Sequence, residues 1–98
     1  MLTDRASQMV IFHALIKHEG FTAAAKSLGV SVSHISKQIA LLEDSIGLKL
    51  VQRTTRSLTL TEAGQVFYQH CNQLFHIVKN AQMEMESQRD DVAGVLRV

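Results

Sequence analysis

Residues 22–39 have the sequence Thr22-Ala23-Ala24-Ala25-Lys26-Ser27-Leu28-Gly29-Val30-Ser31-Val32-Ser33-His34-Ile35-Ser36-Lys37-Gln38-Ile39, and this stretch decides the fold of the chain. The alanines have high helix propensity, and Gly29 permits the positive φ that ends a helix. Ser31 is a good N-cap for a second helix, in which Ile35 and Ile39 repeat at helical spacing. The opposite side of that helix carries, near its start, small polar side chains and a basic residue. The pattern predicts a helix-turn-helix over about residues 21–40, whose second helix enters the DNA major groove.

Length and composition indicate one small folded domain. The chain has 98 residues, of which 46% are hydrophobic and 19% charged, and this balance is typical of a folded chain. No apolar run approaches the roughly 20 residues of a membrane span, and the N-terminus does not resemble a signal sequence. The single cysteine excludes an internal disulfide and is typical of a reducing compartment. We therefore expect a cytoplasmic protein without a membrane segment.

The charge distribution is more informative than the net charge of +1. Residues 1–60 contain seven basic and four acidic residues, whereas residues 61–98 contain three basic and five acidic residues. Residues 45–61 contain three bases and no acid. A basic N-terminal part joined to an acidic helical part favours a nucleic-acid partner, although ordinary surface variation also produces such a difference.

Further elements are predicted on both sides of the central stretch. Apolar residues at spacings of three and four indicate a first helix over about residues 4–18, with Gly20 as its left-handed cap. Thr22 is the predicted N-cap of the first helix of the helix-turn-helix. Two β-prone runs, residues 48–51 and 57–60, are joined by a polar turn and predict a small wing.

Thr61 is the predicted cap of a long last helix, in whose first turn Gly64 is tolerated. Apolar residues then repeat at alternating steps of four and three. They are Phe67, Cys71, Leu74, Val78, Ala81 and Met85. Such a seam is either intramolecular core or a dimer interface. The predicted length of about 40 Å exceeds what a domain of this size needs, and this favours the dimer interface.

The end of the chain changes character. Val95, Leu96 and Val98 predict a strand that has no sheet to join. We therefore divide the chain into a DNA-binding domain (1–60), a linker helix for dimerisation (61–91) and the start of a missing further domain (92–98).

Taken together, the motifs resemble the N-terminal DNA-binding region of LysR-type transcriptional regulators, over about residues 4–90. The resemblance is carried by these segments: Phe21-Thr22-Ala23-Ala24-Ala25, Leu28-Gly29-Val30-Ser31, Ile35-Ser36-Lys37-Gln38-Ile39, Leu42-Glu43, Ile46-Gly47, Leu50, Arg53-Thr54-Thr55-Arg56-Ser57-Leu58 and Leu60-Thr61-Glu62-Ala63-Gly64. Relatives commonly have Gln and then Pro at the start of the second helix, where this chain has Val32 and Ser33.

The resemblance implies a mainly α fold, a winged helix-turn-helix of three helices and a two-stranded wing, followed by a linker helix. It implies a bacterial regulator that binds double-stranded DNA as a homodimer, with a tetramer in the intact protein. It also implies a small-molecule co-inducer that is bound only by the missing effector-binding domain, whose first strand the segment 94–98 resembles. No cofactor is implied for the chain itself.

Candidate DNA contacts follow from the second helix and the wing. The residues predicted to contact bases are Val32, Ser33, Ser36, Lys37 and Arg56. The residues predicted to contact the DNA backbone are Thr22, His34, Arg53, Thr54 and Thr55. An exposed valine suits a thymine methyl, and a lysine suits guanine or a phosphate. The resemblance places Arg56 near the minor groove, whose negative potential attracts arginine. Alternatives stay open, since Val32 can be local packing, Lys37 can be solvated, and Arg53 can be a structural tie.

Other function classes have less support. The five histidines do not pair at i,i+4 and no acidic cluster accompanies them, so no metal site is predicted. There is no phosphate-binding glycine loop and no grouping typical of a nucleophile, so we do not expect an enzyme. The main rival is a helical adaptor that binds another protein through the long helix.

Overall fold

The structure, a computed structural model, describes residues 2–54 and 57–97, and the side chains of residues 4–54 and 57–91. Its elements are α1 (Leu2–Lys17), α2 (Phe21–Leu28), α3 (Val32–Ile46), β1 (Val51–Arg53), β2 (Leu58–Leu60) and α4 (Glu62–Arg97). The predicted architecture, a winged helix-turn-helix followed by a long helix, is confirmed.

The core lies between the first three helices and the beginning of α4. Phe12, Leu15, Ile35, Ile39 and Leu42 have no exposed surface. Burying each such side chain contributes about 1.5–3 kcal/mol. The core therefore fixes α3 against α1 and α2.

The turn between α2 and α3 has the predicted geometry. Gly29 has φ 70°, the left-handed conformation that closes α2. The Ser31 Oγ accepts a hydrogen bond of 3.1 Å from the backbone N–H of His34, so Ser31 is the N-cap of α3. Gly47, with φ 82°, ends α3 in the same way.

The join between α1 and α2 differs from the prediction. Glu19, with φ 60°, takes the left-handed conformation, whereas Gly20 is extended at φ 164°. The backbone N–H of Glu19 donates to Ile16 O and that of Gly20 donates to Leu15 O, both at 3.2 Å. This is a Schellman closure with Glu19 at the left-handed position. Helix α2 then begins at Phe21, so Thr22 lies inside the first turn and the prediction of Thr22 as N-cap was wrong.

The wing is an antiparallel pair in which Val51 faces Leu60 and Arg53 faces Leu58. Its first strand lies later than the predicted run at 48–51. The reason is that the backbone N–H groups of Leu50 and Val51 donate to the Glu43 carboxylate, at 2.7 and 3.2 Å. The segment before Val51 is therefore held by α3.

Helix α4 begins directly against the wing. Thr61 caps it as predicted, because its Oγ1 accepts from Gly64 N at 3.0 Å while donating to Lys49 O at 2.6 Å. A Cβ on Gly64 would lie 1.9 Å from the backbone oxygen of Leu50. Glycine is therefore required here and not merely tolerated.

The far end of α4 corrects a second prediction. The helix continues to Arg97, so Val95 and Leu96 are helical and do not form the predicted strand, while Val98 lies outside the described residues. Helix α4 contains no proline, and Met83, Glu84, Met85, Glu86 and Gln88 have high helix propensity, so the helix is established before the segment where Val95, Leu96 and Val98 suggested a strand.

A buried histidine joins α1 to α4. The ring of His13 stacks on Phe75, with centroids 4.0 Å apart, and on Tyr68 at 5.3 Å. His13 Nε2 donates to Asn72 Oδ1 at 2.8 Å. Burial lowers the pKa of His13 below its ordinary value of 6.5; the bond to Asn72 opposes this shift, and Lys17 and His18 reinforce it. The contact between α1 and α4 therefore favours the neutral form of the His13 ring.

Candidate nucleic-acid interface

The N-terminal half of α3 has one buried side and one accessible side. Ile35 and Ile39 face the core and are fully buried. The accessible side carries the five residues of this helix that were predicted to contact DNA: Val32, Ser33, His34, Ser36 and Lys37. All five are exposed except Ser36, which is half-buried at the edge of the face. The structure thus brings them onto one face, which suits insertion into a groove.

The start of α3 is polar and has no acid in its first turn. Ser31 Oγ lies 3.1 Å from Ser33 Oγ and accepts from His34 N. The positive end of the helix dipole lies at this N-terminus, beside the exposed Val32 and Ser33, and no acidic side chain in the first turn opposes its attraction for a phosphate.

The start of α2 offers a second place for a phosphate. Its N-cap is Gly20, which provides no side-chain hydrogen bond. Thr22 is exposed in the first turn, and this turn also contains no acid. A hydroxyl beside the N–H groups of a helix start is a common backbone-binding arrangement in DNA-binding proteins.

Arg53 connects the wing to both helices of the helix-turn-helix. Its guanidinium carbon lies 4.3 Å from the centroid of the Phe21 ring, and its Nη2 donates to Ser36 Oγ at 3.4 Å. The side chain is nevertheless exposed. Of the two roles that the sequence left open for Arg53, these contacts support the structural tie.

The tip of the wing carries the remaining predicted contacts. Thr55 and Arg56 lie outside the described residues, so their predicted DNA contacts stay predictions. Thr54 is exposed beside the tip; its Oγ1 accepts from the backbone N–H of Ser57 at 3.0 Å, and its own N–H donates to Ser57 O at 2.9 Å. The base of the tip is therefore well ordered by local hydrogen bonds.

Glu43 is the positioning residue that sequence reasoning missed. Its side chain is 8% exposed, and one carboxylate oxygen accepts from both Leu50 N and Val51 N. Its other oxygen lies 3.7 Å from Lys49 Nζ. An acid four residues after the buried Ile39 is the signal that could have identified it, because buried carboxylates need partners. Glu43 fixes the wing relative to the accessible face of α3.

The predicted dimer seam divides into two parts. Cys71 has no exposed surface, and Phe67 is half-buried, with its ring 5.3 Å from that of Phe12. Cys71 therefore belongs to the core and not to an interface, because α1 covers this part of α4. Burial also raises the pKa of the Cys71 thiol to about 11, so the thiol stays protonated.

The second part of the seam is accessible. Leu74 is half-buried, whereas Val78 is 52% and Met85 63% exposed, and Ala81 between them is exposed as well. These three residues line one side of a shallow groove together with Ile77, Gln82, Glu86 and Arg89. Exposed apolar residues in a row on one helix are typical of an interaction surface.

In the described part of the chain, no three His, Cys, Asp or Glu side chains come together as metal ligands. None of the helices there has the length and apolarity that crossing a membrane requires.

Comparison with known proteins gives consistent results. A family model described as bacterial regulatory helix-turn-helix protein, lysR family, matches residues 6–65. The HTH-type transcriptional activator AaeR of Escherichia coli strain K12 is 38% identical over 95 residues, which cover 97% of this chain and 31% of that protein. The iron-regulated virulence regulatory protein IrgB of Vibrio cholerae is 38% identical over 90 residues, which cover 92% of this chain and 30% of that protein. The chain thus spans about 31% of the length of such curated relatives.

Solved structures resemble the whole described architecture. The BenM_DBD/catB site 1 DNA complex is 31% identical, with a TM-score of 0.74, and covers 86% of this chain and 92% of that one. The CbnR_DBD–DNA complex is 28% identical, with a TM-score of 0.72, and covers 84% and 94%. Full-length AphB, a virulence activator of Vibrio cholerae, is 33% identical, with a TM-score of 0.73, and covers 81% and 27%.

Proposed function

Because this chain belongs to the lysR family of bacterial regulatory helix-turn-helix proteins, we propose that it binds duplex DNA sequence-specifically as a homodimer and so controls transcription. The observation that carries the proposal is the accessible face of α3, which is anchored by a fully buried opposite face and has no acid in its first turn. The similarity to two DNA-binding domains in complex with DNA supports it.

The proposed contacts divide into two groups. Val32, Ser33, Ser36 and Lys37 face the base edges of the major groove, and Arg56 reaches the minor groove beside it. Thr22, His34 and the wing threonines contact phosphates. Phosphate contacts give affinity for any sequence, whereas base contacts give preference among sequences. The departure from relatives at Val32 and Ser33 supports a DNA preference particular to this chain.

The proposed dimer uses the accessible part of α4. Val78, Ala81 and Met85 are exposed along a helix of 36 residues, about 54 Å long at 1.5 Å per residue. Pairing two such helices would place the two α3 helices in major grooves one turn of DNA apart, about 34 Å. A tetramer of the intact protein and a co-inducer bound by a further domain stay predictions, as do a cytoplasmic location and the absence of enzymatic activity.

A gel-shift series across salt concentrations tests the proposal against the helical adaptor. A protein that neutralises several phosphates loses roughly 10³-fold or more in affinity between 50 and 200 mM salt. We expect such a loss on any duplex, with a selected duplex retained at higher salt than a random one. A chain that retains no duplex even at low salt would instead support the adaptor.

A further inference from the structure

The position of Arg53 between the wing and α3 points to a role in base recognition that is indirect. We propose that Arg53 is a positioning residue that donates to one lone pair of the Ser36 hydroxyl and so biases Ser36 toward using its own proton to recognise an acceptor atom on a base. The inference rests on the proposed function and adds to it the chemical group that Ser36 selects.

The first step is that Arg53 is fixed at both ends. The backbone of Arg53 pairs with that of Leu58 at the end of the two-stranded wing. Its guanidinium lies over the Phe21 ring at 4.3 Å, an arrangement in which the positive charge is attracted to the ring face. The segment that leads into the wing is held to α3 through Glu43, so the backbone of Arg53 starts from a fixed position relative to that helix.

The second step concerns which group donates. A guanidinium has only donors, so in its contact with Ser36 at 3.4 Å the serine oxygen must accept. A hydroxyl has a single proton and that proton remains available for another partner. Ser36 is half-buried on the accessible face of α3, one turn after Ser33, where a base edge would lie.

The third step gives the chemistry that is recognised. In the major groove the acceptors are purine N7, guanine O6 and thymine O4, whereas the amino groups of adenine and cytosine are donors. A serine that freely accepts or donates does not distinguish these groups. The contact from Arg53 occupies one of the two lone pairs of the Ser36 oxygen and leaves its single proton free. This biases Ser36 toward donating to N7, O6 or O4 over accepting from the amino group of adenine or cytosine.

The matched substitution is Arg53→Lys, because it retains the charge but loses the planar group that stacks and reaches Ser36. The full chain and its Arg53→Lys, Ser36→Ala and double variants are each used to select duplexes from a random pool. We expect the base preference at one and the same position to be roughly fivefold weaker in each single variant. A fivefold change corresponds to the free energy of about one neutral hydrogen bond. The double variant should lose no more than Ser36→Ala alone.

Two controls separate this role from others. Gln52→Ala alters the neighbouring strand residue, whose side chain is on the other side of the wing, and should leave the selected motif unchanged. Phe21→Leu removes the ring under the guanidinium and should reproduce the effect of Arg53→Lys. The salt slope of non-specific binding should be unaltered in Arg53→Lys.

Several results would overturn the inference. If Arg53→Lys weakens every duplex alike and leaves the selected motif unchanged, Arg53 contacts a phosphate directly. If the effects of the two single variants multiply in the double variant, the residues act independently. A wild-type chain that selects a motif which Arg53→Lys leaves intact refutes this inference alone, whereas a wild-type chain that selects no sequence refutes the proposed function as well.

Discussion

Gly64 allows two stretches of backbone to meet where α4 begins. A Cβ at this position would lie 1.9 Å from Leu50 O, which is backbone and does not move without shifting the wing. We expect Gly64→Ala to destabilise the fold by about 2 kcal/mol or more, because overpacking outweighs the gain in helix propensity. Thermal unfolding should show a midpoint lower by roughly 10 °C.

The same substitution at Gly20 is the control for Gly64→Ala. A Cβ on Gly20 meets no atom within 4 Å. Gly20→Ala should therefore change stability by less than about 1 kcal/mol, the usual size of a cap effect. Equal losses in the two variants would mean that close contact at Leu50 is not the cause.

His13 predicts a pH dependence of stability. Burial depresses its pKa in the folded chain below 6.5, so the unfolded chain binds the proton more readily. The contribution of neutral His13 is complete above pH 6.5 and is lost as the pH falls from there through the folded-state value. Urea unfolding at pH 7.5 and pH 5.5 should show this loss in the wild type, and a smaller one in His13→Gln. If the wild type and His13→Gln lose the same stability between these pH values, groups other than His13 cause the pH dependence.

The residues that sequence reasoning missed share one property, which is that they act on backbone groups. Glu43 binds the N–H groups of Leu50 and Val51, and Gly64 makes room for a carbonyl oxygen. Apolar spacing predicts which side chains are buried, and it correctly gave Ile35 and Ile39. It does not show which backbone groups need an acceptor or where two segments of backbone meet.

Among the elements, those with caps and clear periodicity were predicted well. Ser31 caps the start of α3 as expected, because a serine hydroxyl suits the N-cap position. The predicted positions of the first strand and of the start of α2 were wrong, because a neighbouring element determines each of them. Glu43 holds the segment before β1, so the strand begins only at Val51. The Schellman closure at Glu19 moves the start of α2 to Phe21.

The seam of α4 shows the same limit, because periodicity alone does not distinguish core from interface. One stripe runs from the buried Cys71 to the exposed Val78 and Met85, and only the position of α1 separates the two environments. The length of the helix was the informative signal, since it extends well beyond the part that α1 covers.

A glutamate in the accessible seam tests the proposed dimer. Val78→Glu places a charge where two apolar faces would meet, and burying it would be costly. We expect sedimentation to show monomers, with weaker binding to paired half-sites than to a single one. Met83→Glu is the matched control, because Met83 is 57% exposed on the same helix but faces away from Ala81. If both variants remain dimeric, the interface lies elsewhere.

In the molecule as a whole, the distribution of charge agrees with the division of the fold. The basic N-terminal part contains α1, α2, α3 and the wing, and the acidic part is α4. The sequence predicted the fold class, whereas the orientation of the wing depends on Glu43 and Arg53, whose hydrogen-bond partners lie 7 to 17 residues away in the chain.

The unbroken course of α4 from Cys71 in the core to Val78 on the surface has a geometric consequence. Each helical residue turns the chain by about 100° and advances it by about 1.5 Å. One residue inserted between these positions would rotate the apolar face by about 100° relative to α3, whereas seven would restore it to within about 20°. The number of residues between Cys71 and Val78 therefore sets the rotation of the exposed apolar face about the helix axis. That rotation decides from which side of the DNA double helix a second copy of the chain would approach.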